Sequence, residues 1–482
     1  MWSLGVIMNH RFLKLAGGLL AVLVLAYVGA SWYAGRLAQQ SIEAWVNQTN
    51  QSIASQWTAK SPGPVLRIQS YERGVFSSAI RYALDYQDAR GTRHELGLQD
   101  ALRHGPWPWG ALRSGNWRPV AAYSRVTPTP DGDWKLWADA MPAGTPPWVA
   151  RSRIGFDGGV TTEVQVAPVK TAEVDFGGGS LRVIYAPNER QTQLAGRFET
   201  LTLTDPGVQT TLRFSGLALQ ARSRHSGQSD YQSHQEMRLE GLALSVADDQ
   251  PIVLKQQVLT VDVARTGDLM DSLASFEAAH LLFGIHDVGA LKTAAAAQNL
   301  SVPALQALVR TLASIDARHE PGSDLSVQDR QQIRAGLLPL LAASPRIALS
   351  KLQWVNAQGT TELSGQADFR PVGDDASQDL GVLVDQGIRG LSVHAQVSKP
   401  MLLQVLRQTQ SGSDADVALA LVSMVFDQYA GRLARVGLVR RSDEGVIQAD
   451  LAYADGQVTV NGVKMTPDEF SQRLAALQGR LF

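Results

Sequence analysis

The chain has 482 residues, a formal net charge of −1 and a pI near 6.8, so it lacks the basic surplus with which nucleic-acid-binding proteins hold phosphates. It contains no cysteine, which excludes disulfides, thiolate metal sites and cysteine nucleophiles. This length suffices for about two or three domains with a buried core.

The amino end holds the longest apolar segment. Residues 15–33, LAGGLLAVLVLAYVGASWY, carry no charge. As a helix they measure about 28 Å, close to the ~30 Å hydrocarbon core of a bilayer. Trp32 and Tyr33 at the end of the run suit the membrane interface. The sequence predicts a single membrane span here, and the chain after Arg36 reads as too polar to supply another.

The apolar run is longer than the ~7–15-residue core of a cleaved signal peptide, which favours a retained anchor. Cleavage after Ala30 stays open as an alternative, as does translation from Met8 instead of Met1. Arg11 and Lys14 precede the run, and this thin excess of positive charge favours a cytoplasmic amino end and a periplasmic bulk.

The predicted organisation is a 1–14 cytoplasmic amino end, a 15–33 transmembrane anchor, a 34–60 amphipathic helix, a 61–264 β-rich domain, a 265–345 helical region and a 346–482 mixed α/β region.

In the predicted amphipathic helix, Ile42, Trp45, Ile53 and Trp57 fall on one stripe. Its polar face has few basic residues, so we expect it to pack on the following domain rather than on lipid.

Strand signals follow this helix. From Phe76 to Tyr86 apolar and polar residues alternate with period two, which predicts a strand. Residues 100–150 are predicted to be loop-like, with His104-Gly105-Pro106-Trp107-Pro108 near their start. Residues 151–263 alternate again and are predicted to be almost wholly β-structure.

A short pattern recurs in the β-rich part: apolar, two residues, apolar, one residue, apolar. Its copies are Phe198–Leu203, Phe214–Leu219, Leu239–Leu244, Leu349–Trp354 and Ile388–Val393. The apolar positions change parity midway, which a regular strand does not allow. One extra residue in a β-bulge restores the face, and Gly216, Gly241 and Gly390 stand at the right place.

Residues 266–343 are predicted to be helical, with Ser301 and Ser326 as caps. Two further helices are expected at about 399–411 and 414–434. Asp455-Gly456 predicts a hairpin turn, and Thr466 begins a last helix. The predicted fold class is therefore α+β: an amino-terminal transmembrane helix, then extended antiparallel sheet with bulged repeat strands and a packed helical region.

Three motifs resemble the YdgA-like family of Gram-negative inner-membrane proteins: Tyr71-Glu-Arg73-Gly74-Val-Phe76-Ser77-Ser78, the His104–Pro108 element and Asp455-Gly456-Gln-Val458-Thr-Val460-Asn461-Gly462. The resemblance covers the whole chain. It implies an anchored, periplasm-facing homodimer and supplies no catalytic or binding residues. The β-repeats are loosely similar to AsmA-like envelope proteins linked to lipid traffic.

A search for site chemistry assigns no catalytic, cofactor-binding or metal residue. No phosphate-binding loop, zinc helix or nucleophile elbow occurs in the sequence. His225 and His234 are expected in a solvated hairpin loop, and His280 and His286 near a helix end. His104 is expected to be structural, with a site role as the less favoured alternative.

The sequence thus favours a non-enzymatic, inner-membrane protein that presents apolar β-surface to a lipid or an envelope protein. The alternative is a periplasmic enzyme acting on lipid or cell-wall material. A groove open to solvent would favour lipid binding, whereas a sealed sandwich would favour a scaffold.

Overall fold

The computed structural model describes residues 63–88, 91–108, 119–129, 135–227, 230–247, 249–316, 318, 325–373, 380–409 and 414–478, with helical residues at 28, 31–33, 35–36, 39–40, 42–44, 46–47 and 49–51. The chain forms two compact units: Met1–Lys170 with Gly178–Thr192, and Thr171–Gly177 with Gln193–Phe482.

The first elements in the chain are β1 Val65–Arg73, β2 Ser77–Gln87, β3 Arg93–His104, β4 Ala122–Pro128, α1 Lys135–Asp139, β5 Trp148–Ile154, β6 Val160–Val166, β7 Val169–Lys170, β8 Val174–Phe176 and β9 Gly179–Ala186. In the first unit, antiparallel pairing joins β1, β2, β3, β4, β5, β6 and β9 in that order.

The first unit has a sealed core. Ile80, Tyr82 and Leu102 are at most 6% exposed and pack with Val46 of the amino-terminal helix. Partly buried Ile42 joins this cluster, which confirms that the helix packs on its own domain. The other stripe residues, Trp45, Ile53 and Trp57, lie outside the described side chains. Period two correctly predicted β2.

The loop prediction for residues 100–150 is partly wrong, because β4 and the start of β5 lie within it. Neither strand is clearly amphipathic: Ala122–Pro128 buries serine and threonine positions as well as apolar ones. The clustered prolines and tryptophans hid these short strands, since sequence alternation detects a strand only where one face is apolar.

The remaining elements are β10 Gln191–Asp205, β11 Thr210–His225, β12 Tyr231–Val246, β13 Ile252–Thr266, β14 Leu269–Phe283, β15 His286–Ser301, α2 Val302–Asp316, α3 Val327–Ala342, β16 Arg346–Asn356, β17 Gly359–Phe369, α4 Leu380–Gly387, β18 Ile388–Ser398, α5 Lys399–Thr409, α6 Asp414–Arg435, β19 Arg440–Arg441, β20 Val446–Ala454, β21 Gln457–Val460, β22 Val463–Met465 and α7 Pro467–Gln478.

The second unit is built on a long antiparallel meander. Strands β11 to β18 pair in chain order, and β18 then pairs with β20, which continues to β21 and β22. This large sheet confirms the β-rich, antiparallel part of the predicted fold class.

The helical prediction is wrong for residues 269–301, which form β14 and β15. Their alanines, including the run Ala294–Ala297, have high intrinsic helix propensity, which explains why the sequence favoured a helix here. Pairing on both sides overrides that propensity. His280 and His286 consequently lie in strands rather than at a helix end.

The helices predicted after residue 301 follow the prediction, whereas α1 and α4 were not predicted. Ser326 and Asp329 form a capping box at α3, and Thr466 and Glu469 exchange the same pair of bonds at α7. Helices α5 and α6 lie at 399–409 and 414–435. The predicted Asp455-Gly456 turn joins β20 to β21, with positive φ at both residues.

The predicted span at 15–33 lies mostly outside the described residues; 28 and 31–33 are helical. The expectation that the later chain holds no helix apolar enough to span needs correction. Ala415–Arg435 in α6 is long and apolar enough by length and composition, with mean hydropathy 1.2, although it lies far from the amino end.

Candidate functional site

His104, the histidine singled out in the sequence, is a structural residue of the first unit. Its side chain ends β3 and is 2% exposed. Nδ1 lies 3.0 Å from the Val75 carbonyl oxygen and Nε2 lies 3.0 Å from the Ser78 hydroxyl. Because a carbonyl only accepts, Nδ1 carries the proton and Nε2 accepts from Ser78. Both ring nitrogens are thus occupied by uncharged partners.

Three other histidines noted in the sequence also have ordinary surroundings. His234 lies inside β12 rather than in a loop, and its Nδ1 is 2.7 Å from Asp262. His225 is the last residue of β11. His280 lies 2.7 Å from Asp287 on exposed surface. Among the described residues, no group of three histidines, aspartates or glutamates is arranged to hold a metal ion.

The largest candidate binding surface of the second unit is one apolar face of its sheet. Residues that pair across antiparallel strands project from the same face, so the register identifies the face directly. One row runs Leu219, Met237, Leu259, Phe276, Thr293, Leu352, Leu363, Ala395, Ala449. The next row runs Ala221, Gln235, Val261, Ala274, Ala295, Leu349, Gly365, Val393, Leu451. We call the surface formed by these rows and their neighbours the apolar face.

Irregularities interrupt the pairing of the strands that carry the apolar face. Gly216 has φ +62° where pairing between β11 and β12 is interrupted. Gly241 lies beside that interruption, and Gly390 lies beside a register shift between β17 and β18. Similar interruptions or shifts recur in the pairs from β12 to β17. All three glycines lie in strands, and the predicted bulge is confirmed beside Gly390. Gly216 is a positive-φ irregularity without an extra residue, and Gly241 pairs in register with Ser215 and Lys255, so the bulge prediction is wrong at these two positions.

The apolar face is open rather than sealed. Across residues 191–301 the apolar side chains that are fully buried are Leu239, Ala278 and Val288. On the apolar face Leu352 is 47% exposed and Leu363 is 38% exposed, whereas Met237, Leu259 and Phe276 are partly buried. The apolar side chains of this face are therefore partly exposed rather than enclosed in a core.

The opposite face of the same sheet is polar. It carries polar cross-strand contacts such as the hydrogen bond between His234 and Asp262 at 2.7 Å and the ion pair between Lys292 and Glu277 at 3.8 Å. Exposed ion pairs of this kind contribute little stability and are typical of a surface in water. The sheet is therefore amphipathic over most of its width, with a solvated face and an apolar one.

A polar cluster on this opposite face was missed in the sequence. His394 Nδ1 lies 2.6 Å from Asp450, its Nε2 lies 3.4 Å from Glu362, and Arg440 also binds Asp450. The hydrogen bond to Asp450 raises the pKa of His394. No sequence signal pointed to this cluster, because His394 and Asp450 are 56 positions apart in the chain.

The cluster borders a cavity of about 500 Å³, lined by small polar side chains that include Ser350, Ser364 and Ser392. Such a hollow can hold a small polar molecule. However, Asp450 and Glu362 are already bound by Arg440 and Gln353, so the carboxylates are satisfied within the protein.

The carboxyl-terminal family motif has a structural explanation. Asn461 accepts a hydrogen bond from the Asp450 backbone N–H at 3.0 Å and donates to the Gly437 carbonyl at 3.0 Å. Its φ of +51° lies in the left-handed region that asparagine tolerates. The motif therefore ties β20 and β21 to the end of α6.

Comparison with known proteins agrees with the resemblance noted in the sequence. A family model described as "Bacterial protein of unknown function (DUF945)" matches residues 12–468, and the chain belongs to this family. It is 23% identical to Protein YdgA of Escherichia coli (strain K12), over 94% of this chain and 95% of that protein. It is 21% identical to Uncharacterized protein YihF of the same organism, over 95% and 98%. Neither name states a ligand or a reaction.

Proposed function

We propose that the protein is an inner-membrane-anchored periplasmic protein that holds the acyl chains of envelope lipids on its apolar face and catalyses no reaction. The observation that carries this proposal is the apolar face itself, whose rows the strand pairings trace from β11 to β20.

An open apolar surface of this extent is costly in water. Monomeric soluble proteins rarely expose contiguous apolar patches beyond a few hundred Å², and larger ones mark interaction sites. An acyl chain is a suitable occupant because each CH2 group that it buries contributes about 0.8 kcal/mol. It also makes no demand for hydrogen bonds, which the apolar side chains of this face do not offer.

The amino-terminal run supports the location. Residues 15–33 have the length and composition of one span, and Arg11 with Lys14 favours a cytoplasmic amino end. A tether of this kind raises the effective concentration of membrane-derived ligands near the apolar face. Homodimerisation, implied by the resemblance, stays a prediction, and the mass of the detergent-purified protein tests it.

A second candidate function is an enzyme that acts on lipid or cell-wall material. The observation in its favour is the polar cavity beside His394, where Asp450 orients the ring. A base of this kind needs a nucleophile or water within hydrogen-bond reach of Nε2. Here Nε2 faces Glu362, so the arrangement supports an ion-pair network better than general-base chemistry.

The chain offers a matched pair of residues for the test. Leu352 and Leu273 are both 47% exposed on the same sheet, but Leu352 belongs to the apolar face. Leu273 pairs with Asp262 and therefore projects from the polar face. The experiment compares lipids that co-purify with the full chain in wild type, Leu352→Asp and Leu273→Asp, by native mass spectrometry.

We expect Leu352→Asp to reduce co-purified lipid about tenfold, since losing one well-buried leucine contact costs roughly 1.5–3 kcal/mol. Leu273→Asp should retain wild-type lipid. Equal lipid content in all three proteins, each folded and inserted, would refute binding on the apolar face.

A further inference from the structure

The first unit binds its own amino-terminal helix next to the predicted span. Ser31 is fully buried, and its hydroxyl donates a hydrogen bond to the Gly105 carbonyl. One helical turn later, Gly35 packs directly on the imidazole of His104. A Cβ at position 35 would collide with that ring, so the close approach requires glycine.

His104 in turn holds the loop between β1 and β2. Its backbone N–H donates to the Phe76 carbonyl at 2.9 Å, and its ring bonds to the Val75 carbonyl and Ser78 hydroxyl. The two family motifs of the first unit therefore form one socket, in which the His104 ring lies between this loop and Gly35.

Exposed apolar residues surround the socket. They are Trp32 at 45%, Tyr33 at 63%, Val75 at 41%, Phe76 at 49% and Trp107 at 49% exposure. Trp32 and Tyr33 follow Ser31 directly on the helix. Val75 and Phe76 belong to the loop bound by His104, and Trp107 follows Gly105 by two positions. We call these five residues the aromatic collar.

We propose that the aromatic collar sits in the headgroup region of the bilayer, so that the first unit rests on the membrane rather than hanging from it on a flexible linker. This proposal rests on the anchor in the proposed function. It goes further because it fixes which surface faces the lipid and assigns a role to both motifs of the first unit.

The bilayer is the occupant that the chain itself indicates. Trp32 and Tyr33 are the last two residues of the uncharged run, so the collar is continuous with the predicted span. Tryptophan and tyrosine favour the membrane interface, where one end of the ring is apolar and the other is wet. Exposed Arg36 and Arg73 accompany the collar, and the Arg73 guanidinium lies 5.9 Å from the Trp32 ring centroid. Such cations suit anionic lipid headgroups.

Because the chain has no cysteine, a single introduced cysteine can be labelled at one defined position. Single variants Phe76→Cys and Trp107→Cys of the full chain are labelled with a nitroxide and reconstituted into phosphatidylethanolamine–phosphatidylglycerol vesicles. Val65→Cys is the matched control, because Val65 is 45% exposed in the same unit but begins β1, at the opposite end of that strand from the loop that holds Phe76. Spin relaxation by oxygen, which partitions into lipid, is compared with relaxation by a water-soluble nickel chelate.

We expect oxygen to relax the labels at 76 and 107 at least several-fold more than the chelate does, with the opposite order at 65. Equal chelate access at all three positions would overturn the proposal that the aromatic collar lies in the headgroup region. Protection of 76 and 107 from both reagents would also overturn it and would indicate a protein contact. Loss of the protein from carbonate-washed vesicles would instead refute the anchor, so the two failures are distinguishable.

Discussion

The two units use the same antiparallel meander in opposite ways. In the first unit, Ile80 and Leu102 are each 1% exposed, and the amino-terminal helix adds Val46 to their cluster. In the second unit, α2 and α3 bury Leu308 and Ile333 mainly against each other, and the apolar face stays half-exposed. The comparison shows that strand alternation defines an amphipathic sheet, but a covering element decides whether its apolar face becomes core.

Buried polar groups follow the same division. In the first unit, Asp100 is 6% exposed and accepts a hydrogen bond from Ser124 at 2.7 Å, and burial raises its pKa. In the second unit, the charges around His394 are partly solvated. The first unit is therefore expected to respond strongly to substitution, whereas the second should tolerate it on most of its sheet.

The largest difference is expected for leucine truncation. Leu102→Ala should lower the free energy of unfolding by about 2–5 kcal/mol, because it leaves a cavity in a closed core. Leu352→Ala on the apolar face should change it by about 0.5 kcal/mol or less. Urea unfolding of the detergent-purified full chain measures both, and comparable losses would show that the apolar face is core.

A smaller effect is expected at the irregular strand positions. Gly216→Ala should lower the free energy of unfolding by about 1–3 kcal/mol, since φ at this position is +62° and a Cβ would meet the Glu240 side chain. Gly390→Ala is the matched control, because the atoms nearest to its added Cβ lie at 3.7 Å and beyond. Equal unfolding midpoints for the two variants would contradict the positive φ at Gly216.

The smallest effect concerns pH. The pKa of His394 is raised in the folded protein relative to about 6.5 in the unfolded chain. Its contribution to stability is therefore fully present below pH 6.5 and is lost as pH rises through the folded pKa. His394→Gln should destabilise the protein by less than about 1 kcal/mol at pH 5.5, because the pair is partly solvated, and by less still at pH 9. A larger loss of stability at pH 9 than at pH 5.5 would contradict the assignment of a raised pKa to His394.

Sequence reasoning succeeded where the determining contacts are local. Capping residues predicted α3 and α7, and period two predicted β2. The parity change in the repeats also located the irregular backbone at Gly216, although no extra residue is present there. These features depend on residues that are close in the chain, so the pattern carries the information.

Features set by distant contacts were missed. The alanines of β15 are strand residues because β14 and β16 pair with them on both sides. The openness of the apolar face depends on where α2 and α3 pack, and the cluster at His394 needs β18 beside β20. These contacts join residues that are far apart in the chain, so a single sequence does not predict them.

The most direct test of the central claim is photo-crosslinking in living cells. A benzophenone amino acid replaces Leu352 on the apolar face or Leu273 on the polar face of the full chain, and attached lipid is detected by mass spectrometry. We predict lipid adducts at position 352 and none above background at position 273. Adducts that are absent at 352, or equal at both positions, would contradict acyl-chain binding on the apolar face.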